Sequence, residues 1–355
     1  MNSRERVEAA LTWQRPDRIP IDFWASAAAW AGIERELGLN RESFLDRYDV
    51  DFRYLPGPRY CGPPLAANHD LWGIERQQVR TGPGEDAETY SEVIRSPLAD
   101  ATTPADLDAY PHWPNPDWFN YSNIEAQCDA IHARERVTVF MGDRLNRIAQ
   151  LKPAMYLRGM ENILMDTVLC PELAAALFSR IHAFYAAYLT RILESARGKI
   201  DIVLTGDDFG SQRGPLLSPA AWRRLLEPGF RDSMRIIRKH GAWSMHHTCG
   251  SVRALLPDLI GAGLQILQSL QPEARDMDSI DIAAEHGARL RFHGGLSVQQ
   301  LLPFGTPADI DAEVARLAPH FRRGGYVFCT AHNIQADTPI RNILALLQAY
   351  HRHGG

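Results

Sequence analysis

Three short segments hold the residues whose types and spacing imply chemistry. The first is His247-Thr248-Cys249-Gly250, at the end of a β-branched and apolar run that reads as a strand over 244–249. Residues two apart on a strand project to the same side, so the imidazole and the thiol point together. A histidine and a cysteine so placed are a zinc-ligand pair. A buried structural thiol beside an ordinary histidine is the plainer alternative. The second segment is Cys329-Thr330-Ala331-His332-Asn333, after a strand over 326–329. His332 stands just past that strand, where it would serve as a general acid or a ligand. Cys329 is either a ligand or a core thiol. The third is Thr205-Gly206-Asp207-Asp208-Phe209-Gly210. Its adjacent carboxylates would bind a metal, orient a polar substrate, or act as acid and base with one pKa raised. Loop capping is their structural alternative.

These segments all follow strand-like runs, and the elements that must position them come next. Strands are expected at 19–23, 51–55, 137–141, 202–205, 244–249, 264–270, 289–293 and 326–329. From residue 136 onward they alternate with helical patterns, the mark of βαβ units and a parallel sheet. Eight such strands fit a (β/α)8 barrel, an α/β fold that keeps its chemistry at the C-terminal strand ends. Trp24 and His293 lie at such ends and join Asp207 and Asp208 as candidate substrate contacts. Ser218-Pro219, Thr306-Pro307 and Thr338-Pro339 each offer a hydroxyl N-cap with proline at the first helical position. Pro171 opens a long helix with Leu173, Leu177, Ile181, Phe184 and Tyr188 on one face, a core stripe. Between 56 and 118 the alternation breaks. Two strands at 74–80 and 89–95, joined through Thr81-Gly82-Pro83-Gly84, predict a hairpin inserted near the barrel mouth.

The chain has 355 residues and is 45% hydrophobic, enough for one barrel domain over 1–355. Its net charge of −5, with no basic face, argues against nucleic acid. No run reaches the ~18 apolar residues of a membrane span. The N-terminus is charged and lacks a signal-peptide core, so a cytoplasmic location is expected. Five scattered cysteines argue for thiols or metal ligands rather than a disulfide framework. There is no GxGxxG, P-loop or GxSxG elbow.

Taken in order, several stretches resemble the uroporphyrinogen decarboxylase superfamily. They include Pro16-Asp17-Arg18-Ile19-Pro20, Leu157-Arg158-Gly159-Met160-Glu161-Asn162 and Gly206-Asp207-Asp208-Phe209-Gly210. His247-Thr248-Cys249-Gly250-Ser251-Val252, Leu302-Pro303-Phe304-Gly305-Thr306-Pro307 and His332-Asn333-Ile334-Gln335 complete the set. The resemblance implies one of two activities. The metal-free decarboxylase branch holds substrate carboxylates with an Arg-Gln-Ala-Gly-Arg loop, where this chain reads Phe23-Trp24-Ala25-Ser26-Ala27. Both arginines are missing, which argues against a tetrapyrrole octa-acid, since unpaired buried carboxylates are costly. The zinc-dependent branch, similar to methylcobamide:coenzyme M methyltransferase, has an HxC matched by His247 and Cys249 and a later Cys that aligns onto His332. The resemblance therefore implies zinc on His247, Cys249 and either His332 or Cys329. It implies a methyl group passing between a corrinoid, carried by a partner protein, and a small thiol or folate. A metal-free lyase acting on a smaller acid, with His332 as general acid, is a second expectation. A non-catalytic binding protein on the same barrel is a third. Apolar residues within 56–118 would serve a homodimer contact or a dock for the corrinoid protein.

Overall fold

The computed structural model describes residues 1–81, 88–142 and 147–355. Seven parallel strands make the central sheet, in chain order: β1 Phe52–Tyr54, β2 Val137–Phe140, β3 Ile202–Gly206, β4 Trp243–His247, β5 Ile266–Leu270, β6 Arg291–Leu296 and β7 Tyr326–Thr330. Each pairs in parallel with the next of these strands along the chain, so every connection crosses over the sheet. Helices between the strands cover the outer face, which is why the strands are apolar on both sides.

The eighth expected strand, at 19–23, is reduced to one bridge, Ile21 against Phe328. Its backbone nonetheless bonds on both sides. Asp22 N–H donates to the Phe328 carbonyl at 2.9 Å, and Phe328 N–H to the Pro20 carbonyl at 2.7 Å. On the other side Asp51 N–H donates to the Ile21 carbonyl at 3.0 Å. Pro20 lies within the segment, just before Ile21, and lacks a ladder donor, which keeps the regular strand short. A fully buried carboxylate secures the seam. Asp51 accepts from Arg6 Nη1 at 2.6 Å, Arg18 Nη1 at 2.8 Å and the Ile21 N–H at 2.8 Å.

Side chains alternate across the sheet with the two-residue period of a strand. Phe52, Val137, Ile202, Leu204, Met245, Ile266 and Val327 face inward and pack together, with Val7 and Leu11 of helix Ser3–Leu11 closing the same cluster. Val203, Leu267, Phe292 and Phe328 face the helix layer. Helix Pro171–Ala196 buries Leu173, Leu177, Ile181, Phe184 and Tyr188, the stripe read from its sequence. Ser218 and Thr306 cap their helices, the latter with Asp309 in a capping box. Thr338 does not: Pro339 is the N-cap of helix Ile340–His353.

Strands Glu75–Thr81 and Glu88–Arg95 pair antiparallel, as the sequence pattern predicts. The expected turn residues Gly82, Pro83 and Gly84 lie outside the described residues. All five cysteines are free thiols. Among the described residues no helix is long and apolar enough to cross a membrane.

Replacing Asp51 by Asn leaves two guanidinium groups facing a neutral amide. Removing one partner of a buried ion pair costs about 3–5 kcal/mol. Asp51→Asn is expected to lower the urea midpoint accordingly, with the slope of the transition unchanged. An unaltered midpoint would show that the seam does not rest on this carboxylate.

Candidate active site

The inward parity that gives apolar residues at the bottom of the sheet gives polar ones at its C-terminal end. His247 is the last residue of β4, two after the inward Met245. It pairs laterally with Gly206 of β3 and Gln268 of β5. Its Nδ1 meets the Gln268 Oε1 in a short hydrogen bond. An amide oxygen only accepts, so Nδ1 carries the proton and Nε2 keeps its lone pair. That Nε2 lies 3.2 Å from the Cys249 Sγ.

Cys249 is not in the strand, which ends at His247. Sheet bonding continues one residue further through Thr248 N–H to the Gln268 carbonyl, at 2.7 Å. The chain then turns at Gly250, whose φ is +83°. A Cβ at Gly250 would come within 2.5 Å of Gly210, and one at Gly210 within 2.7 Å of the Cys249 carbonyl. The loops after β3 and β4 therefore touch through their backbones, and this contact sets Asp208 beside Cys249.

His332, two residues past β7, completes the group. One ligand atom each from His247, Cys249 and His332 lie within 4.8 Å of one another. Trp24 packs on both histidines, with ring centroids 5.7 Å from His247 and 5.3 Å from His332. Cys329 faces inward but falls in a separate, fully buried group with Asp22 and His293. There His293 Nε2 lies 2.9 Å from Asp22 Oδ2, and Tyr54 donates its hydroxyl to the same oxygen at 2.5 Å. Thus the structure gathers Trp24 with His247, Cys249 and His332, and holds His293 and Cys329 apart from them.

The two adjacent carboxylates point in opposite directions. Asp207 is 2% exposed and accepts the backbone N–H groups of Gln150, Leu151 and Lys152 at 2.6–2.7 Å. It caps helix Leu151–Arg158, and it is not among the described residues lining the cavity. Loop capping, the structural alternative, describes it, and no substrate contact is left for it. Burial pushes its carboxyl up to about 6, against those three donors. Asp208 instead faces the site. It accepts Lys152 Nζ at 2.6 Å and the Cys249 N–H at 3.2 Å, and lies 3.5 Å from His247 Nε2. Burial works against its carboxylate, yet the Lys152 ammonium holds its carboxyl below the usual range.

Burial depresses the pKa of His247 and His332, so both rings are neutral. Burial, and then the Asp208 charge, push the Cys249 thiol up to about 12. Two neutral imidazoles and a thiol beside a carboxylate form a set of donors that could hold a metal ion. A positive ion among them would invert the thiol's preference, because a coordinating thiol is deprotonated outright. The residues fit zinc: one thiolate and two imidazole nitrogens are common zinc donors.

A cavity of about 340 Å³ opens over His247 and His332. Arg76, Arg147 and Lys152 line it, and Trp72, Tyr90, Tyr156 and Tyr185 supply further walls. Gly206 leaves room for Arg147, since a Cβ there would meet its Cδ at 2.3 Å. Sequence reasoning passed over these cations and Gln268. A readable signal existed for Gln268, a lone amide at an inward position of an apolar strand. None existed for Arg76, which reaches the cavity from the antiparallel pair.

A model of the family described as uroporphyrinogen decarboxylase (URO-D) matches residues 148–353. The chain belongs to that family. A comparison with curated proteins returns no match. Among solved structures, a methyltransferase from Methanosarcina mazei superposes with a TM-score of 0.68 at 17% identity, covering 99% of each chain. That likeness is one of fold. A 3-keto-D-glucoside 4-epimerase from E. coli reaches a TM-score of 0.39 at 14% identity, over 65% of this chain and 83% of that one. A D-psicose 3-epimerase reaches 0.40 at 10%, over 72% and 95%. Neither epimerase bears on the function.

The second histidine of the doublet, His246, faces the helix layer, where it stacks on Phe209 and meets the Thr205 hydroxyl at 2.7 Å. Burial lowers its pKa from 6.5 to about 3. The folded state therefore resists a proton that the unfolded chain accepts below pH 6.5. Its contribution is complete above pH 6.5 and is lost as pH falls toward 3, by about 1.4 kcal/mol per pH unit. His246→Gln is expected to flatten the acid limb of stability over that window relative to the parent. Parallel pH profiles in urea titrations would contradict the assignment.

Proposed function

With membership of the uroporphyrinogen decarboxylase family as premise, we propose that this chain is a zinc-dependent methyltransferase. It moves a methyl group between a corrinoid on a partner protein and a small acceptor, a thiol or a folate. The observation that carries the reading is the approach of His247, Cys249 and His332 to within 4.8 Å of one another, with both histidines bordering the cavity. These three would hold zinc. When bound, zinc supplies a Lewis acid that makes an acceptor thiol a thiolate at neutral pH.

The chain's own residues prepare that centre. Gln268 fixes the His247 tautomer and directs Nε2 at the site, the usual task of a partner behind a metal-bound histidine. Asp208 braces the Cys249 backbone and stands beside His247, while Lys152 neutralises it. Trp24 covers both histidines and narrows access by water. Its position replaces the arginine loop of the decarboxylase branch, which speaks against a tetrapyrrole acid. The corrinoid protein would dock at the mouth. We also read the Ile21 segment as the eighth stave of a (β/α)8 barrel spanning 1–355, with the antiparallel pair inserted at its mouth. The backbone bonds on both sides of Ile21 and the entry of Arg76 and Tyr90 into the cavity support this.

One observation favours a second reading. Arg76, Arg147 and Lys152 around the cavity suit a metal-free lyase acting on a carboxylic acid, with His332 as general acid.

Metal analysis separates the two. The purified protein is expected to hold one zinc per chain, lost in His247→Ala, Cys249→Ala and His332→Ala with circular dichroism unchanged. Zinc-free, folded parent protein would sink the methyltransferase reading. Gln268→Ala should weaken zinc about 10–100-fold in competition with a chelator. With zinc bound, methyl transfer from free methylcobalamin to thiols or folates is the expected activity.

A further inference from the structure

The same cavity narrows the ligand class, and this inference rests on the site just proposed. We infer that it takes a ring-bearing carboxylate, with the ring against the aromatic walls and the carboxylate on the lining cations, rather than a short aliphatic thiol. Three features carry this. First, five rings line the space: Trp24, Trp72, Tyr90, Tyr156 and Tyr185. Flat walls of this kind reward a flat ligand through offset or edge contacts. Second, Arg76, Arg147 and Lys152 line it, and no carboxylate does among the described residues. Two of them carry acidic partners, Arg76 the buried Asp70 and Lys152 the Asp208 beside Cys249. Third, two guanidinium groups lie against wall rings, Arg76 at 4.6 Å from the Tyr156 centroid and Arg147 at 5.5 Å from Trp24. Arg76 is further fixed by Asp70 at 2.5 Å. Guanidinium groups held over aromatic rings are pre-set for a planar carboxylate, so little entropy is lost on binding.

A volume of about 340 Å³ lies at the small end of ligand sites. It suits one ring and its substituents. His247 and His332 border the same space. A short thiol acid would satisfy the cations but leave the rings unfilled.

Binding is measured by calorimetry and by the fluorescence of Trp24 and Trp72, with 4-mercaptobenzoate, benzoate, benzamide, cyclohexanecarboxylate and 3-mercaptopropionate as probes. Benzoate is expected to bind about tenfold more tightly than benzamide, the return of one charge-assisted hydrogen-bond pair. It should also exceed cyclohexanecarboxylate, and 4-mercaptobenzoate should exceed 3-mercaptopropionate. Arg76→Gln should remove the benzoate preference, and Arg76→Lys should retain part of it. If Arg76→Gln does not fold, Tyr156→Leu must erode the advantage of benzoate over cyclohexanecarboxylate. Equal binding of benzoate and benzamide, or of aliphatic and aromatic acids, overturns the inference. Benzoate is also titrated into chelator-treated protein and into Cys249→Ser. Retained selectivity there, with no methyl transfer by the zinc-loaded parent, would refute the methyltransferase reading and leave this one standing.

Discussion

The carboxylate of Asp51 holds the seam on which the rest depends. Seven strands pair regularly, but the ends of that sheet meet through one extended segment with a single bridge residue. Asp51 joins the segment to β1 twice, once by its backbone and once by its side chain, and gathers Arg6 and Arg18 around itself. Buried ion pairs add little net stability compared with apolar packing of the same volume. What this one secures is placement. The same segment carries Asp22, which organises Tyr54 and His293, and Trp24, which lies on both site histidines. A fault at the base of the sheet would therefore be felt at its mouth.

Much of the site was legible because one rule governs it. Strand alternation puts His247 on the side of Met245, and the family pattern pairs it with Cys249. The same rule left Asp207 and Asp208 ambiguous. Adjacent residues diverge, and only the tertiary structure reveals that one caps a helix while the other meets Cys249. It also left the choice between His332 and Cys329 open. One lies near the end of β7 and the other two residues past it, and what separates them is the depth at which each side chain lies. Cys329 is one layer lower, and burial together with Asp22 raises its thiol well above the ordinary range. Element ends were the weakest part. The first strand shrank to a bridge just after Pro20, and β6 ran on through Gly294, Gly295 and Leu296, a glycine pair that does not favour a strand.

The missing arginines after the first segment have a subtler meaning than loss of charge. At that place the chain puts a tryptophan against the site. Cationic groups enter from elsewhere: Arg76 from the antiparallel pair, Arg147 ahead of a helix and Lys152 in its first turn. The family's loop was a local feature, whereas the charge of a cavity is a sum over every element that reaches it. That sum is not available to a reader who compares one loop at a time.

The His246-His247 doublet bears on how relatives of this chain are aligned. Its two rings lie on opposite faces of one strand, one stacked on Phe209 and the other over the cavity. Sliding the pairing by one residue would still offer a histidine to the barrel, so the imidazole alone carries no information about phase. The thiol does, because the same slide would turn Cys249 away from both rings. In distant relatives where that cysteine has drifted, homology at this strand should be anchored on Gly210 and Gly250. Their mutual contact admits no side chain and so fixes the frame independently of the metal-binding chemistry.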